Sequence, residues 1–268
     1  MTSNSASTAA QQTADPEGSA NRDYAGTLRK LRGDYKAVWN SLSGSKTDAY
    51  LVVSGYTDED KFHADAEDTV DILRDTVGVK PADVFLEIGC GVGRVGRVLS
   101  PFVREWVGCD VSSNMLRLAG RRLLGLSNIR LQEISGYDLQ PIPDNSIDVV
   151  YTTVVFMHLE EWDRYNYILE AKRVLKPGGK MILELPCLNK ICYYVAKCVQ
   201  DKLPLDETML LYPLFGSPKG QDPLMGHKWG YFKETLRDLL ERAGMQEIQF
   251  VTPRYHFPMR DMRVECRK

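Results

Sequence analysis

The sequence has little of what marks membrane, secreted or nucleic-acid-binding proteins. Its longest apolar stretch, near residues 149–157, is too short to span a bilayer and contains two threonines. The N-terminal residues are polar and have no apolar core, so we expect no signal peptide. The formal net charge is −2, which gives no broad attraction to nucleic acid or to anionic lipid. These features favour a cytoplasmic protein without a membrane or nucleic-acid partner.

Metal-binding and disulfide patterns are also missing. The chain has six cysteines and four histidines, but no two cysteines form C-x-x-C and none stands at zinc-ligand spacing from a histidine. We therefore expect no metal site, and we interpret the cysteines as reduced thiols, mostly buried, in a reducing compartment.

Composition divides the 268 residues into four stretches. Residues 1–22 are Ser, Thr, Ala, Gln and Gly with almost no large apolar side chain, and such a segment is predicted to be a disordered tail. Residues 23–80 have apolar positions at three- and four-residue spacing, which predicts helices. Residues 81–186 alternate strands with helices, and residues 187–268 add a helix, a long Pro- and Gly-rich loop, a last helix and two strands. We treat 23–268 as one domain.

The most informative segment is residues 87–94, Glu-Ile-Gly-Cys-Gly-Val-Gly-Arg. It follows a short apolar run and precedes an apolar-periodic stretch, so it predicts a strand, a glycine turn and a helix. Glycine adopts positive φ easily and lets a ligand approach the backbone closely. The N–H groups at the start of the helix point toward whatever lies above the turn.

Two cofactor classes could use this turn. Residues 91–96 also spell G-x-G-x-x-G, and Asp110 follows at the distance that a dinucleotide fingerprint requires. The alternative is a nucleoside cofactor without a pyrophosphate. An oxidoreductase would also need a substrate domain, and about 80 residues after residue 186 leave little room for one.

Downstream segments favour the second alternative. Residues 105–110 are predicted to be a strand that ends in Asp110, and residues 143–151 a polar turn followed by a β-branched strand. Residues 173–185 contain a helix end, Pro-Gly-Gly and a further strand. In this order the segments resemble those of class I S-adenosylmethionine-dependent methyltransferases, over residues 80–186.

The resemblance implies a fold and a cofactor. The fold would be α/β, a Rossmann-like three-layer sandwich whose mostly parallel seven-stranded sheet ends in an antiparallel C-terminal hairpin, with N-terminal helices that cover the pocket. The cofactor would be S-adenosyl-L-methionine, which leaves as S-adenosyl-L-homocysteine.

The resemblance also implies roles for particular residues. Glu87 would lie near the cofactor's amino group, Asp110 would bind the ribose diol, and Met115 would pack on adenine. An acid that the family commonly places beside the adenine amino group is replaced by Gly136, so either Asp138 or the backbone of this loop would take its place. The cofactor-binding set is expected to be Glu87, Gly89, Cys90, Gly91, Gly93, Arg94, Asp110, Val111, Met115, Gly136, Tyr137, Asp138, Thr153 and Val154.

Two histidines are candidate catalytic groups. His158 follows the fourth predicted strand, beside the expected position of the methyl group, and imidazole can take a proton near neutral pH. A structural role, holding the loop in place, is the other interpretation of His158. His227 lies in the long loop that borders the acceptor pocket in the family.

The class of molecule that accepts the methyl group can be narrowed only by the motifs that the sequence lacks. Residues 152–155 replace the Asn-Pro-Pro-Tyr or Asp-Pro-Pro-Tyr of base-amine methyltransferases, and no Pro-Cys nucleophile stands in a suitable loop. The chain is most similar to small-molecule methyltransferases, for which we favour oxygen over nitrogen or carbon as the acceptor atom. A peptide-amine methyltransferase is the alternative, and the oligomeric state is left open.

Overall fold

The computed structural model describes most of the chain after residue 34. The predicted disordered tail, and the first part of the N-terminal helical stretch, lie outside the described residues. So do Val154 and His227. The described ranges are 35–55, 57–153, 155–215, 230–254 and 258–268.

One seven-stranded sheet organises the described residues, in the order β3-β2-β1-β4-β5-β7-β6. The first five strands pair in parallel, whereas β7 runs antiparallel to both of its neighbours. The predicted Rossmann-like architecture and its antiparallel C-terminal pair are therefore confirmed. The strands are β1 Val84–Ile88, β2 Glu105–Asp110, β3 Ile129–Glu133, β4 Ile147–Thr152, β5 Leu175–Pro186, β6 Gln246–Val251 and β7 Asp261–Arg267.

Helices precede the sheet, connect its strands and flank both of its faces. Side chains cap several of them: Asp58 accepts from the Lys61 backbone N–H at the start of α3, and Ser112 from that of Met115 at the start of α5. The helices are α1 at residues 35–42, α2 Lys46–Ser54, α3 Glu59–Thr76, α4 Arg94–Leu99, α5 Ser113–Arg122, α6 Glu161–Val174, α7 Leu188–Asp201, α8 Glu207–Phe215 and α9 Lys233–Arg242.

The core lies on both faces of the sheet. Every residue of β1 is buried, as expected for a central parallel strand with helices on either side. Leu86 and Ile88 belong to one apolar cluster, and Phe85 belongs to the other, together with Trp106. Alternate residues thus point to opposite faces. The C-terminal ends of β1, β2 and β4 meet at one edge, where a ligand site is expected in such sheets.

Two details differ from the sequence prediction. The long Pro- and Gly-rich loop, residues 204–230, is expected to be irregular, but its part Glu207–Phe215 is a helix, because the strong helix formers Met209, Leu210 and Leu211 outweigh Pro213, which lies near the C-terminal end of the helix. In addition, β5 begins at Leu175, and Pro-Gly-Gly lies inside it as an irregularity in the pairing with β4.

None of the helices in the described part of the chain is long and apolar enough to cross a membrane.

Candidate active site

A cavity of about 920 Å³, which includes its part open to solvent, lies beyond the C-terminal ends of β1, β2 and β4. Strand ends form its floor, and α1 and α2 form its cover. Most of the lining is apolar, and the charged residues in it are Glu87, Arg94 and Asp110. Eight predicted cofactor-binding residues line it besides Glu87 and Asp110: Gly89, Cys90, Gly91, Arg94, Val111, Met115, Gly136 and Thr153.

The glycine turn has the geometry that the sequence predicts. Gly89, Gly91 and Gly93 have φ values of 74°, 52° and 73°, a backbone conformation that residues other than glycine rarely adopt. A Cβ on Gly89 would lie 2.3 Å from Cγ2 of Val155, and one on Gly91 would lie 2.9 Å from Cγ2 of Val53. Two side chains of the protein itself therefore approach the turn closely. Gly93 does not line the cavity; it begins α4 and packs against Leu123.

Glu87 is a buried acid at the edge of the cavity, 3% exposed. Its Oε2 accepts a hydrogen bond of 2.8 Å from the hydroxyl of Tyr151, which in turn accepts one of 3.0 Å from Nε1–H of Trp106. Burial raises the pKa of Glu87 to about 7, although the Tyr151 hydrogen bond and the positive charge of Arg94 oppose that rise. A buried carboxylate of this kind is stabilised by a cationic group brought by a ligand.

Asp110 ends β2 and closes the glycine turn against it. Its Oδ2 accepts from the backbone N–H of Gly91 and its Oδ1 from that of Ser112, both at 2.8 Å. Burial raises the pKa of Asp110 to about 6, and these two hydrogen bonds limit the rise. Each carboxylate oxygen can accept a second hydrogen bond, so the group can also accept hydrogen bonds from the hydroxyl groups of a ligand in the cavity.

Arg94 connects the turn to α3. Its guanidinium is 4% exposed, and Nη1 donates to Oδ2 of Asp65 at 2.5 Å. Cys90, beside it in the turn, is a buried thiol whose pKa burial raises well above its usual value, so it is not a nucleophile near neutral pH.

The residues expected near adenine are only partly brought together. Val111, Met115 and Gly136 line the cavity, joined by Ile134. Tyr137 and Asp138 do not line it, and Oδ1 of Asp138 instead accepts from the backbone N–H of Gln140. The loop therefore presents the Gly136 backbone to the cavity rather than the Asp138 carboxylate.

Sequence reasoning missed the individual residues of the cover. Tyr35 and Trp39 on α1, and Val52 and Val53 on α2, all line the cavity. The helical periodicity predicted these helices, but it does not say which sheet edge they cover. The cavity is also lined by Ile134, Leu159 and Tyr167, and no sequence pattern around these residues predicts that position.

Polar contacts of Asn40 hold α1 against the start of α5. Its Oδ1 accepts from the hydroxyl of Ser112 at 2.8 Å and from the backbone N–H of Asn114 at 3.2 Å, and its carbonyl accepts from Nδ2 of Asn114 at 2.9 Å. The cover is thereby attached two residues beyond Asp110.

His158 lies where the sequence placed it, in a short 3₁₀ turn after β4, and it lines the cavity. The imidazole is 8% exposed, and its ring meets the indole of Trp39 edge-on with centroids 5.7 Å apart. Packing and proton transfer are both compatible with this position. Val154 and His227 lie outside the described residues.

Comparison with known proteins agrees with this geometry. Residues 86–183 match the family model described as a methyltransferase domain. Phosphoethanolamine N-methyltransferase 1 of Arabidopsis thaliana is 32% identical over 112 residues, 41% of this chain and 22% of that protein. Sterol 24-C-methyltransferase ERG6B of Gibberella zeae is 34% identical over 111 residues, 40% of this chain and 28% of that protein.

Among solved structures, Haemonchus contortus phosphoethanolamine N-methyltransferase 1, in complex with phosphoethanolamine and S-adenosylhomocysteine, superposes with a TM-score of 0.60. It is 19% identical, and the match covers 90% of this chain and 49% of that one, so it shows a shared fold. The chain spans at most about half the length of the curated relatives it matches. Residues 86–183 thus match a methyltransferase domain, within a sheet of the Rossmann-like fold that the solved methyltransferase structure shares.

Proposed function

We propose that this protein transfers a methyl group from S-adenosyl-L-methionine to a small-molecule acceptor. The observation that carries the proposal is the pair of buried acids, Glu87 and Asp110, on either side of a glycine turn in one cavity. S-adenosyl-L-methionine combines an ammonium group, a ribose diol and an adenine, and the cavity has a complementary group for each.

The residues fit the polar parts of this cofactor. The Glu87 carboxylate would hold the ammonium, because an opposite charge offsets the desolvation that raises its pKa to about 7. Asp110 would accept hydrogen bonds from the ribose hydroxyls while it still holds the Gly91 turn. Val111, Met115 and the Gly136 backbone would enclose the adenine, and Arg94 and Cys90 would complete the wall beside the turn.

The cofactor supplies a methyl group that is already activated on a sulfonium, so the protein has mainly to align the acceptor and exclude water. Thr153, Val155 and His158 follow β4 and line the cavity, and they would lie beside the methyl group of the bound cofactor. The aromatic side chains of Tyr35 and Trp39, in the cover, would exclude water from that part of the cavity. For an acceptor hydroxyl, an imidazole nitrogen of His158 would take the proton; His227 is a second proposed contact, from the long loop that borders the acceptor pocket in the family.

The acceptor class follows from the lining. Beyond the residues assigned to the cofactor, the described lining is apolar or aromatic except for Thr153 and His158, which favours an uncharged acceptor with substantial apolar surface. We favour oxygen as the acceptor atom. The named relatives include an N-methyltransferase and a C-methyltransferase, so the family accommodates several acceptor atoms.

An acceptor screen tests this proposal. The purified protein is incubated with S-adenosyl-L-methionine that carries an isotopically labelled methyl group and with matched sets of phenols, carboxylic acids, small amines and a peptide amine. Label in the phenol or carboxylate set, absent for the Asp110→Ala variant, supports the proposal. Label in the peptide alone would replace it with protein methylation.

A further inference from the structure

Two consecutive hydrogen bonds lead from Trp106 through Tyr151 to Glu87, the acid assigned to the cofactor's ammonium group. Nε1–H of Trp106 donates to the hydroxyl of Tyr151 at 3.0 Å, and that hydroxyl donates to Oε2 of Glu87 at 2.8 Å. The exposed fractions of Trp106, Tyr151 and Glu87 are 0%, 2% and 3%. Three strands supply the chain, since Trp106 lies on β2, Tyr151 on β4 and Glu87 on β1.

The direction of these bonds is fixed by chemistry. The indole can only donate, so the Tyr151 oxygen accepts from it and its own proton is directed to Glu87. A hydroxyl that already accepts a hydrogen bond is a better donor, and both bonds lie where water does not compete. Oε2 of Glu87 thus has Tyr151 as its donor, and Glu87 also lines the cavity, so we expect its other oxygen, Oε1, to meet the ligand.

The packing around Trp106 makes this arrangement rigid. Its ring fills the space beside two glycines: a Cβ on Gly96 would lie 2.6 Å from the ring and one on Gly108 would lie 2.3 Å from it. Gly96 is the last glycine of the G-x-G-x-x-G pattern. Because it has no side chain, it leaves room for the indole that begins the hydrogen-bond chain.

We infer that Tyr151 is a positioning residue for cofactor binding, which orients the Glu87 carboxylate toward the cofactor's ammonium and keeps it ionised near neutral pH. This inference rests on the proposed function, because it concerns the same cofactor site. Tyr151 would touch Glu87 and not the reacting atoms.

Other charged and titratable groups around Glu87 set the background for its protonation. Arg94 on α4 favours the carboxylate, whereas Asp110 on β2 disfavours it. The thiols of Cys90 and Cys109 have raised pKa values and stay neutral near pH 7. Arg94 is itself paired with Asp65 of α3. Glu184 and Arg263 form an ion pair, and both line, together with Tyr151, a second and smaller pocket.

The test compares two ligands with one conservative variant. S-adenosyl-L-homocysteine carries the ammonium, whereas 5′-methylthioadenosine shares its adenosine and thioether but lacks the amino-acid part. Dissociation constants of both ligands are measured by calorimetry from pH 6 to pH 8.5 for the wild type and for Tyr151→Phe. Removing the hydroxyl should raise the pKa of Glu87, so the carboxylate would be protonated to a higher pH.

The expected result has three parts. At pH 7, Tyr151→Phe should bind S-adenosyl-L-homocysteine about tenfold more weakly than the wild type does, since a hydrogen bond to a charged group is lost. The midpoint of its pH profile should move up by roughly one pH unit. Binding of 5′-methylthioadenosine should be equal in both proteins, which shows that the variant is folded.

Identical pH profiles for S-adenosyl-L-homocysteine in the two proteins would overturn the inference and leave Tyr151 as a packing residue. If the wild type bound neither ligand, the proposed function would fail, and the inference with it. If Tyr151→Phe does not fold, Tyr151 is replaced site-specifically by 3-fluorotyrosine, a nearly isosteric and stronger hydrogen-bond donor, and the pH profile is measured in the same way; an unchanged midpoint would again overturn the inference.

Discussion

The backbone N–H of Gly91 donates a 2.8 Å hydrogen bond to Oδ2 of Asp110, which lies at the end of the neighbouring strand. The acid assigned to the ribose thus also holds the turn that admits the cofactor. A ligand-binding role and a structural role are combined in one carboxylate, and this affects how its variants should be interpreted.

Asp110→Ala should therefore change both affinity and stability. We expect at least a tenfold loss of S-adenosyl-L-homocysteine affinity, because the ribose diol loses its acceptor. We also expect a net loss of roughly 1–2 kcal/mol in unfolding free energy: two backbone N–H groups lose their partner, and removing a carboxylate with a raised pKa offsets part of that cost. Calorimetry and urea unfolding measure the two effects.

Asp138→Ala is the matched control for that variant. Asp138 is a nearby acid that does not line the cavity, so its removal should leave the affinity unchanged. Full affinity in Asp110→Ala would contradict the ribose assignment, and a large loss in Asp138→Ala would return the adenine role to Asp138.

Glu87→Gln should separate stability from binding. The folded-state pKa of Glu87 is raised from 4.5 to about 7, so the ionised group destabilises the fold above pH 7 and has no such effect below about pH 4.5. Without ligand, the variant should be more stable than the wild type at pH 8, by about 1–3 kcal/mol, and the difference should shrink as the pH falls through the window from 7 to 4.5.

Urea unfolding at pH 8 and pH 5 measures this difference. The same variant should bind S-adenosyl-L-homocysteine weakly at both pH values, because an amide cannot pair with the ammonium. A stability difference that is the same at both pH values would show that the buried charge is not its source.

His158→Ala distinguishes the two roles proposed for this residue. If the imidazole takes a proton, turnover at pH 7.5 should fall by roughly 100-fold or more, while cofactor affinity and melting temperature change little. If it mainly packs against Trp39, the melting temperature should fall and the turnover of the remaining folded protein should be preserved. The acceptor identified by the label screen is the substrate for this measurement.

Asn40→Ala should loosen the cover. Without the Asn40 side chain, α1 loses the hydrogen bonds that Oδ1 accepts from Ser112 and Asn114. In the wild type α1 already lies in place over the cavity, whereas in the variant part of the binding free energy must be spent on placing it there. S-adenosyl-L-homocysteine affinity should fall by about fivefold, as one or two neutral hydrogen bonds imply.

Lys36→Ala is the control on the same helix. Lys36 forms an exposed ion pair with Glu133, which contributes little, so its removal should leave the affinity unchanged. Equal losses in the two variants would indicate a general destabilisation of α1 rather than loss of the Asn40 contacts.

The local order of the chain was predictable, whereas its long-range contacts were not. The acid-and-glycine segment, the acid at the end of β2 and the alternation of strands and helices each depend on neighbouring residues, so the Rossmann-like sheet followed from the sequence. The sequence also placed His158 after β4, where it lines the cavity.

Contacts between distant segments left no periodic signal. Tyr151 reads as an ordinary buried strand residue, and its contact with Glu87 joins positions 64 residues apart. Asn40 lies 74 residues from Asn114 in the chain. For Asp138, the loop conformation was decisive: a hydrogen bond to the Gln140 backbone, made outside the cavity, cannot be inferred from residue type.

The most direct test of the account is a parallel calorimetric titration of the wild-type protein with S-adenosyl-L-methionine, S-adenosyl-L-homocysteine and NAD. We expect micromolar binding of the first two ligands and no heat with NAD, because the cavity offers two acids for an ammonium and a ribose. Binding of NAD alone would contradict the account and would make residues 91–96 a dinucleotide-binding turn.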